Sequence, residues 1–324
     1  MPVNGKKQML WDGALFAGIL LCAVGLLWYS RPVSTAITQS LTLCLQVLLP
    51  SLFPFFVLSG MLIASGAVQR LSSCLEKPFR KLFDLPGCSS AALLLGALGG
   101  YPVGARTAAS LYSQGLCGQW DAEKMLCFCN NAGPAFLIGV LGSKLLQDPA
   151  LGTQLFVIHL VSALLVGLLL PKKKTAVKLN DFSSFGNTPQ PFYILFLDAV
   201  TGAFTSYLSV CSFVLIFSVL LCLFSQISAF TVLSSMLPGD STLWNGIFSG
   251  VLELTTGAAC LTSASLPRTV LLPALSFLCG WGGLSVQFQT IHLLQSAGLP
   301  CRRYLKAKLL QGLVAALLTL PICR

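Results

Sequence analysis

Gly96-Ala-Leu-Gly-Gly-Tyr-Pro-Val-Gly-Ala105 is apolar enough to lie in lipid, yet too rich in helix breakers to cross it as a plain helix. A similar stretch recurs late in the chain as Gly250-Val-Leu-Glu-Leu-Thr-Thr-Gly-Ala258. Each is followed by an apolar span that is itself interrupted. The first is Cys127-Phe-Cys-Asn-Asn-Ala-Gly-Pro134 and the second Leu278-Cys-Gly-Trp-Gly-Gly-Leu-Ser-Val-Gln287. If the two short segments enter and leave the membrane on one side, as hairpins, the chain folds as two inverted repeats. If they cross fully, it does not.

The composition makes lipid the relevant solvent. Of 324 residues, 55% are hydrophobic and only 9% are charged, against roughly 25% charged in a soluble domain. The mean hydropathy is +0.81. Such a chain is a polytopic membrane protein and not a secreted domain, a disordered tail or a cytosolic enzyme. The net charge of +10 does not imply nucleic acid as a partner, because the basic residues lie in short runs between apolar stretches and report membrane orientation. Most of the thirteen cysteines lie inside apolar segments, where a thiol acts as a small hydrophobe. Cys127 and Cys129 lack both the spacing and the neighbouring His of a zinc site, so no metal or disulfide framework is expected.

Outward from the quoted segments, a span needs about 20 mostly apolar residues. Gly13–Tyr29 is the first candidate, read with residues 1–33 as a retained signal-anchor. The stretch 34–68 is too long for one straight span, and Pro50 and Pro54 are expected to divide it. In Arg70–Asp84, Leu71, Leu75, Phe79 and Leu82 share one helical face, as in a helix lying in the interface. The first repeat is 34–178, with its hairpin at about 91–116, followed by the spans Met125–Leu141 and Leu151–Leu170. Residues 179–191 are polar and rich in turn formers, hence a cytoplasmic linker. The second repeat is 192–324, with its hairpin at about 246–264. Asp198 marks an interfacial stretch before the span Phe204–Leu223, and Thr269–His292 and Lys308–Ile322 complete it.

Charge decides between hairpin and crossing. With a cytoplasmic N-terminus and two hairpins, fifteen Lys and Arg face the cytoplasm, including Lys6, Lys7, the run Lys172 to Lys174, Lys124 and Lys308. Only Arg31, Lys144, Arg268 and Arg324 face the other side, as the positive-inside rule requires. The two repeats then run in opposite senses, a feature of secondary transporters. The expected fold class is therefore an all-α polytopic membrane protein of two inverted repeats, each with a re-entrant helical hairpin and a Gly- or Asn-interrupted transmembrane helix.

Interrupted segments in matching places point to a solute site, because broken helices expose backbone groups that lipid cannot satisfy. The candidates in the first repeat are Gly99, Gly100, Tyr101, Pro102 and Gly104, with Asn130 and Asn131. In the second they are Glu253, Thr255 and Thr256, with Gly280, Ser285 and Gln287. The paired carboxamides suit a polar solute or an ion, with an interhelical clamp as the alternative. Glu253 is the one carboxylate deep in an apolar segment, where burial costs roughly 2.5–3.5 kcal/mol. It suits a proton, Na⁺ or a substrate contact. Arg106 could attract an anion, pair with Glu253 or snorkel to the surface. His159 suits an interhelical hydrogen bond better than a proton relay.

Two of these motifs, Gly99-Gly-Tyr-Pro-Val-Gly-Ala-Arg106 and Cys129-Asn-Asn-Ala-Gly-Pro-Ala-Phe-Leu-Ile-Gly139, together with Leu48-Leu-Pro-Ser-Leu-Phe-Pro-Phe-Phe56, resemble the sporulation integral membrane protein family YlbJ (SpoVV), of the nucleoside-recognition Gate group. The second-repeat motifs more loosely resemble concentrative nucleoside transporters, whose matching positions bind nucleoside and Na⁺. This chain departs from them at Trp281-Gly-Gly-Leu-Ser285. The resemblance implies transport of dipicolinic acid, a planar aromatic dianion, across the mother-cell membrane around the forespore. Arg106, the carboxamides and the hairpin N–H groups would meet its carboxylates, and Tyr101 or Trp281 its ring.

Other readings stay open: a nucleoside or small-carboxylate transporter coupled to Na⁺ or H⁺, and a sporulation membrane scaffold without transport. An enzyme is not expected, since no His-Glu-x-x-His, Gly-x-Ser-x-Gly or nucleotide loop occurs. No catalytic residue, metal or cofactor is assigned beyond a coupling Na⁺ or H⁺. The expected partners are a small anionic solute, the bilayer and, as an open matter, a second copy of the chain.

Overall fold

The computed structural model describes residues 5–65, 67–171 and 191–323, and all regular structure in them is helical. The lysine run at 172–174, Lys178 and the linker up to residue 190 lie outside the described residues. So do Arg324 and the side chains of Lys6, Lys7, Arg70 and Leu71.

Helix α1 (Gly5–Trp28) presents exposed Leu, Ile and Val along its length, the surface expected of a helix solvated by lipid tails. Then α2 (Ser30–Leu43), a π-helical turn at Cys44–Leu48 and α3 (Leu49–Ala64) form one continuous rod. Pro50 and Pro54 were expected to divide this stretch, but the helix runs through both. The irregularity sits just ahead of Pro50. There the Leu49 N–H and the Tyr207 hydroxyl, the latter at 2.8 Å, both donate to the Cys44 carbonyl. Widening the turn before a proline relieves the clash of its ring with the preceding carbonyls. Helix α4 (Ala67–Phe83) is amphipathic as expected, with one change of face: Phe79 and Phe83 are buried, whereas Leu82 is exposed.

The next two helices, α5 (Ser89–Gly99) and α6 (Val103–Ser113), are 11 residues each. At 1.5 Å per residue each reaches only about 16 Å, half of a hydrocarbon core of about 30 Å. They pack against each other as a hairpin whose turn is Gly100–Pro102, with a cis Tyr101–Pro102 peptide. The broken span follows as α7 (Gln119–Cys129), an irregular Asn130–Pro134, and a π-helix at Ala135–Leu145. Helix α8 (Pro149–Leu169) follows it.

Residues 192–323 keep that order. Helix α9 (Phe192–Gln226) is a single rod of 35 residues, not an interfacial piece followed by a span, although Asp198 in its first turns is exposed. After the short α10 (Ala229–Ser235) come α11 (Ser241–Leu252) and α12 (Leu254–Ser263), a second hairpin of half-length helices. It starts earlier than the expected residue 246, because Asp240 caps α11 by accepting from the Thr242 N–H at 2.8 Å. The second broken span is α13 (Arg268–Trp281), a left-handed Gly282, and α14 (Gly283–Ser296). Helix α15 (Arg302–Thr319) ends the fold.

This element order is consistent with inverted repeats. The two sets are knitted together, since α3 packs on α9 and α15 packs on both α7 and α8. At one end of α15, Arg303 pairs with Glu123 at 2.9 Å and lies 3.8 Å over the Trp120 ring.

Candidate functional site

Four chain interruptions converge inside the bundle. The first hairpin's turn lies against the break in α7. Gly100 has φ +72°, and a Cβ placed on it would stand 2.9 Å from the Gly133 backbone nitrogen. Only glycine meets both conditions. The second hairpin's turn lies in the same way against the break between α13 and α14. A Cβ on Gly283, at φ +75°, would stand 2.8 Å from the Leu254 nitrogen. The two pairs are then bridged: the Tyr101 hydroxyl, from the first turn, donates to the Cys279 carbonyl of α13 at 3.2 Å.

Between them lies a cavity of about 60 Å³, room for a few water molecules. Its polar lining is Tyr101, Glu253, Thr255, Ser285 and Gln289, with the backbone of Gly99, Gly100 and Gly133. Its apolar wall comes from Leu48, Leu52 and Phe56 of the first rod and from Val210, Phe213 and Val214 of α9.

Glu253 is the residue between α11 and α12, and it is 1% exposed. Its carboxylate accepts from the Thr255 N–H at 3.0 Å and the Thr256 N–H at 2.6 Å. It therefore caps α12 and meets the positive end of that helix dipole. Thr256 faces the other side of the turn, onto a groove of about 620 Å³ lined by Thr35, Gln39, Ser40, Ser218, Ser225 and Ser249. The second hairpin thus stands between the cavity and a groove lined in part by hydroxyls.

Not every candidate reaches the cavity. Arg106 is exposed, and no ion pair joins it to Glu253 among the described residues. Pro102 and Gly104 are buried in the first hairpin, with Gly104 against the Cys129 carbonyl. Gly280 packs on the backbone of Gly312. Gln287 is buried beneath the second break and donates to the Trp281 carbonyl at 2.6 Å. Trp281 itself donates to the Val251 carbonyl at 3.1 Å and lies outside the cavity lining.

Asn130 and Asn131 are fully buried behind the cavity and committed to protein partners. The Asn130 carboxamide accepts from the Ala105 N–H at 3.2 Å and donates to Thr290 at 3.0 Å and Tyr304 at 2.9 Å. The Asn131 carboxamide donates to the Phe128 carbonyl at 2.7 Å and accepts from Gln311 at 3.0 Å. Of the two roles open from sequence, the clamp describes Asn130. His159 joins the same network, its Nε2 accepting from the Ala132 N–H at 3.1 Å. Its Nδ1 has no hydrogen-bond partner.

The charge reading counted Lys308 among the residues facing the cytoplasm, at the start of the last span. The structure buries it completely. Its ammonium donates to the Asn130 carbonyl at 2.7 Å and to the Gln311 side-chain oxygen, and lies 5.3 Å from the centre of the Tyr101 ring. Lys124, placed with it, is also buried and donates to the Phe83 and Pro171 carbonyls. Gln311, Thr290, Tyr304 and Gln289 were not anticipated either. The available signal was the pair Lys308 and Gln311, one helical turn apart and followed by a purely apolar run.

Residues 45–169 match the family model described as Gate, nucleoside recognition. The chain is also similar to the sporulation integral membrane protein YlbJ of Bacillus subtilis (strain 168), at 30% identity over 296 residues, covering 84% of this chain and 72% of that protein. No solved structure matches the chain.

Proposed function

The chain belongs to the family of the sporulation integral membrane protein YlbJ, and from that premise we propose that it is a secondary transporter of a small anionic aromatic solute, dipicolinic acid. The observation that carries this reading is the convergence of two hairpin turns and two helix breaks on one cavity. Interrupted helices at membrane depth are tolerated where they line a cavity, and inverted-repeat transporters hold their solute at such places. In this reading the repeats are oppositely oriented, the N-terminus is cytoplasmic, and the membrane is the mother-cell membrane around the forespore.

The chemistry suits a planar dianion. The first turns of α14 and of the π-helix bring Ser285 and Ala135 to the cavity, and the N-terminal ends of these helices favour carboxylates. Tyr101 offers an aromatic face. In this reading the cavity opens and closes around the solute. Loading requires one hairpin turn to withdraw, and the groove behind Thr256 makes the second hairpin the mobile wall.

A second reading is favoured by one observation. Glu253, whose carboxylate repels a dianion, lines the cavity beside the neutral donors and acceptors Ser285 and Gln289. That lining suits an uncharged polar ring such as a nucleoside. Uptake of labelled dipicolinate into proteoliposomes, competed by unlabelled nucleosides, decides between the two. Saturable uptake that nucleosides leave unchanged supports the first reading, and nucleoside uptake without dipicolinate uptake replaces it with the second.

A further inference from the structure

We infer that Lys308 is a tethered cation standing where a secondary transporter would otherwise bind a coupling alkali ion, so that the break in α7 needs no sodium. The inference rests on the transporter reading above and specifies its coupling. Helix α7 ends at Cys129, and Asn130 is already extended, at φ −91° and ψ 97°. The carbonyls of such an end have no helical partner and form the negative end of the helix dipole. In transporters with broken helices, unwound carbonyls and half-helix C-termini are what coordinate Na⁺.

Here the two oxygens that would serve a hard cation, the Asn130 carbonyl and the Gln311 side-chain oxygen, both accept from the Lys308 ammonium. The Tyr101 ring lies 5.3 Å from the ammonium as a third, cation–π neighbour. Lys308 forms no salt bridge among the described residues. Neutral oxygens and a ring face compensate its charge, which is how an alkali ion is held and not how a buried ion pair is built. The lysine belongs to the second repeat and the oxygen to the first, so the tethered charge also joins the repeats beside the cavity.

The test uses the purified full chain and melting temperature, a readout that survives if the solute has been misidentified. Wild-type protein is compared in sodium chloride and in choline chloride at equal ionic strength, and is expected to melt alike in both. Lys308→Ala is expected to melt lower in choline and to regain roughly 5 °C in sodium, as an ion fills the vacated position. Lys308→Met fills that space without charge and is expected to regain nothing. Lys308→Ala melting alike in both salts, or failing to fold in both, overturns the inference. So does a sodium shift in the wild type that Gln311→Leu abolishes. Solute uptake by the wild type, once measurable, is expected to be unchanged when choline replaces sodium.

Discussion

The ammonium of Lys308 lies 2.7 Å from the main-chain oxygen of Asn130, a residue 178 positions earlier in the chain. The same asparagine holds the backbone of Ala105 in the first hairpin, and Thr290 and Tyr304 in the second repeat. Asn130 is therefore the point at which hairpin, broken helix and the opposite repeat are fixed relative to one another. The cavity in front of it has walls set by that junction.

Replacing Asn130 by Ala strands the Ala105 N–H and two hydroxyls in a site without solvent. A buried group left unpaired costs about 1–3 kcal/mol, and the hydroxyls can partly recover by bonding to each other, already 3.3 Å apart. A loss of about 2–4 kcal/mol is expected, read as a fall of several degrees in the melting temperature of the protein in nanodiscs. Asn130→Asp keeps the acceptor for Ala105 and can accept from both hydroxyls, so its loss is expected to be less than half as large.

Gly100 tests the contact between the first turn and the α7 break. Alanine there carries both a left-handed backbone and a methyl group pressed on Gly133, a cost of at least about 2 kcal/mol. Gly100→Ala is expected to abolish uptake and lower the melting temperature together. Gly202→Ala is the control, because nothing lies within 4 Å of its added methyl on exposed α9. It is expected to transport normally and melt unchanged or up to a few degrees higher, since alanine exceeds glycine by up to about 1 kcal/mol in a helix.

The two hairpins and two breaks were legible because each places glycine, proline or paired polar residues inside an apolar run, where an uninterrupted lipid-facing helix has no use for them. What escaped the sequence depended on tertiary partners. Lys308 follows Arg302, Arg303 and Lys306 and so looks like the end of a cytoplasmic charge run. Only the fold brings Asn130 to it. Pro50 and Pro54 were expected to break the rod, yet a π-helical turn ahead of them absorbs the strain. Arg106 sits beside the most recognisable motif, but the helical phase of α6 turns it outward while Val103, Gly104 and Ala105 turn in.

Glu253 separates the two solute readings. Glu253→Ala removes the cap of α12 and leaves the buried Thr255 N–H and the half-buried Thr256 N–H without their acceptor, costing about 1–2 kcal/mol for the cap alone. Glu253→Gln retains the side-chain shape and one of the two oxygen acceptors, giving up one of the two N–H bonds, and is expected to fold with a smaller loss than Glu253→Ala. It also removes the negative charge from the cavity. If the solute is a dianion, its apparent affinity in proteoliposomes is expected to rise several-fold in Glu253→Gln, because a like charge at close range has gone. For an uncharged ring bonded to the carboxylate, affinity falls instead. Competition curves for dipicolinate and a nucleoside on the same preparation read both outcomes.

The last prediction concerns the groove behind the second hairpin. It has a hydroxyl or amide at almost every turn, from Thr35, Gln39 and Ser40 on α2 to Ser218 and Ser225 on α9. The Ser218 hydroxyl is buried there without a protein partner. The Thr35 and Ser225 hydroxyls donate to the Arg31 and Cys222 carbonyls of their own helices, but their remaining lone pairs and the other polar groups favour water over lipid tails in the groove. Cysteines placed at Ser249 and Thr256, in a background whose native cysteines are replaced, are expected to react with a membrane-impermeant maleimide. They should react about an order of magnitude faster than a cysteine at Leu313, because the reaction needs a hydrated thiolate. Leu313 is 50% exposed on α15 and apolar on both flanks, as a lipid-facing position would be. Equal rates at all three positions would show that the groove is filled by lipid tails, and the second hairpin would then not separate a wet vestibule from the cavity. Slower labelling at Thr256 with saturating solute would place the closing motion on that hairpin, because the Thr256 N–H donates at 2.6 Å to the carboxylate of the cavity-lining Glu253.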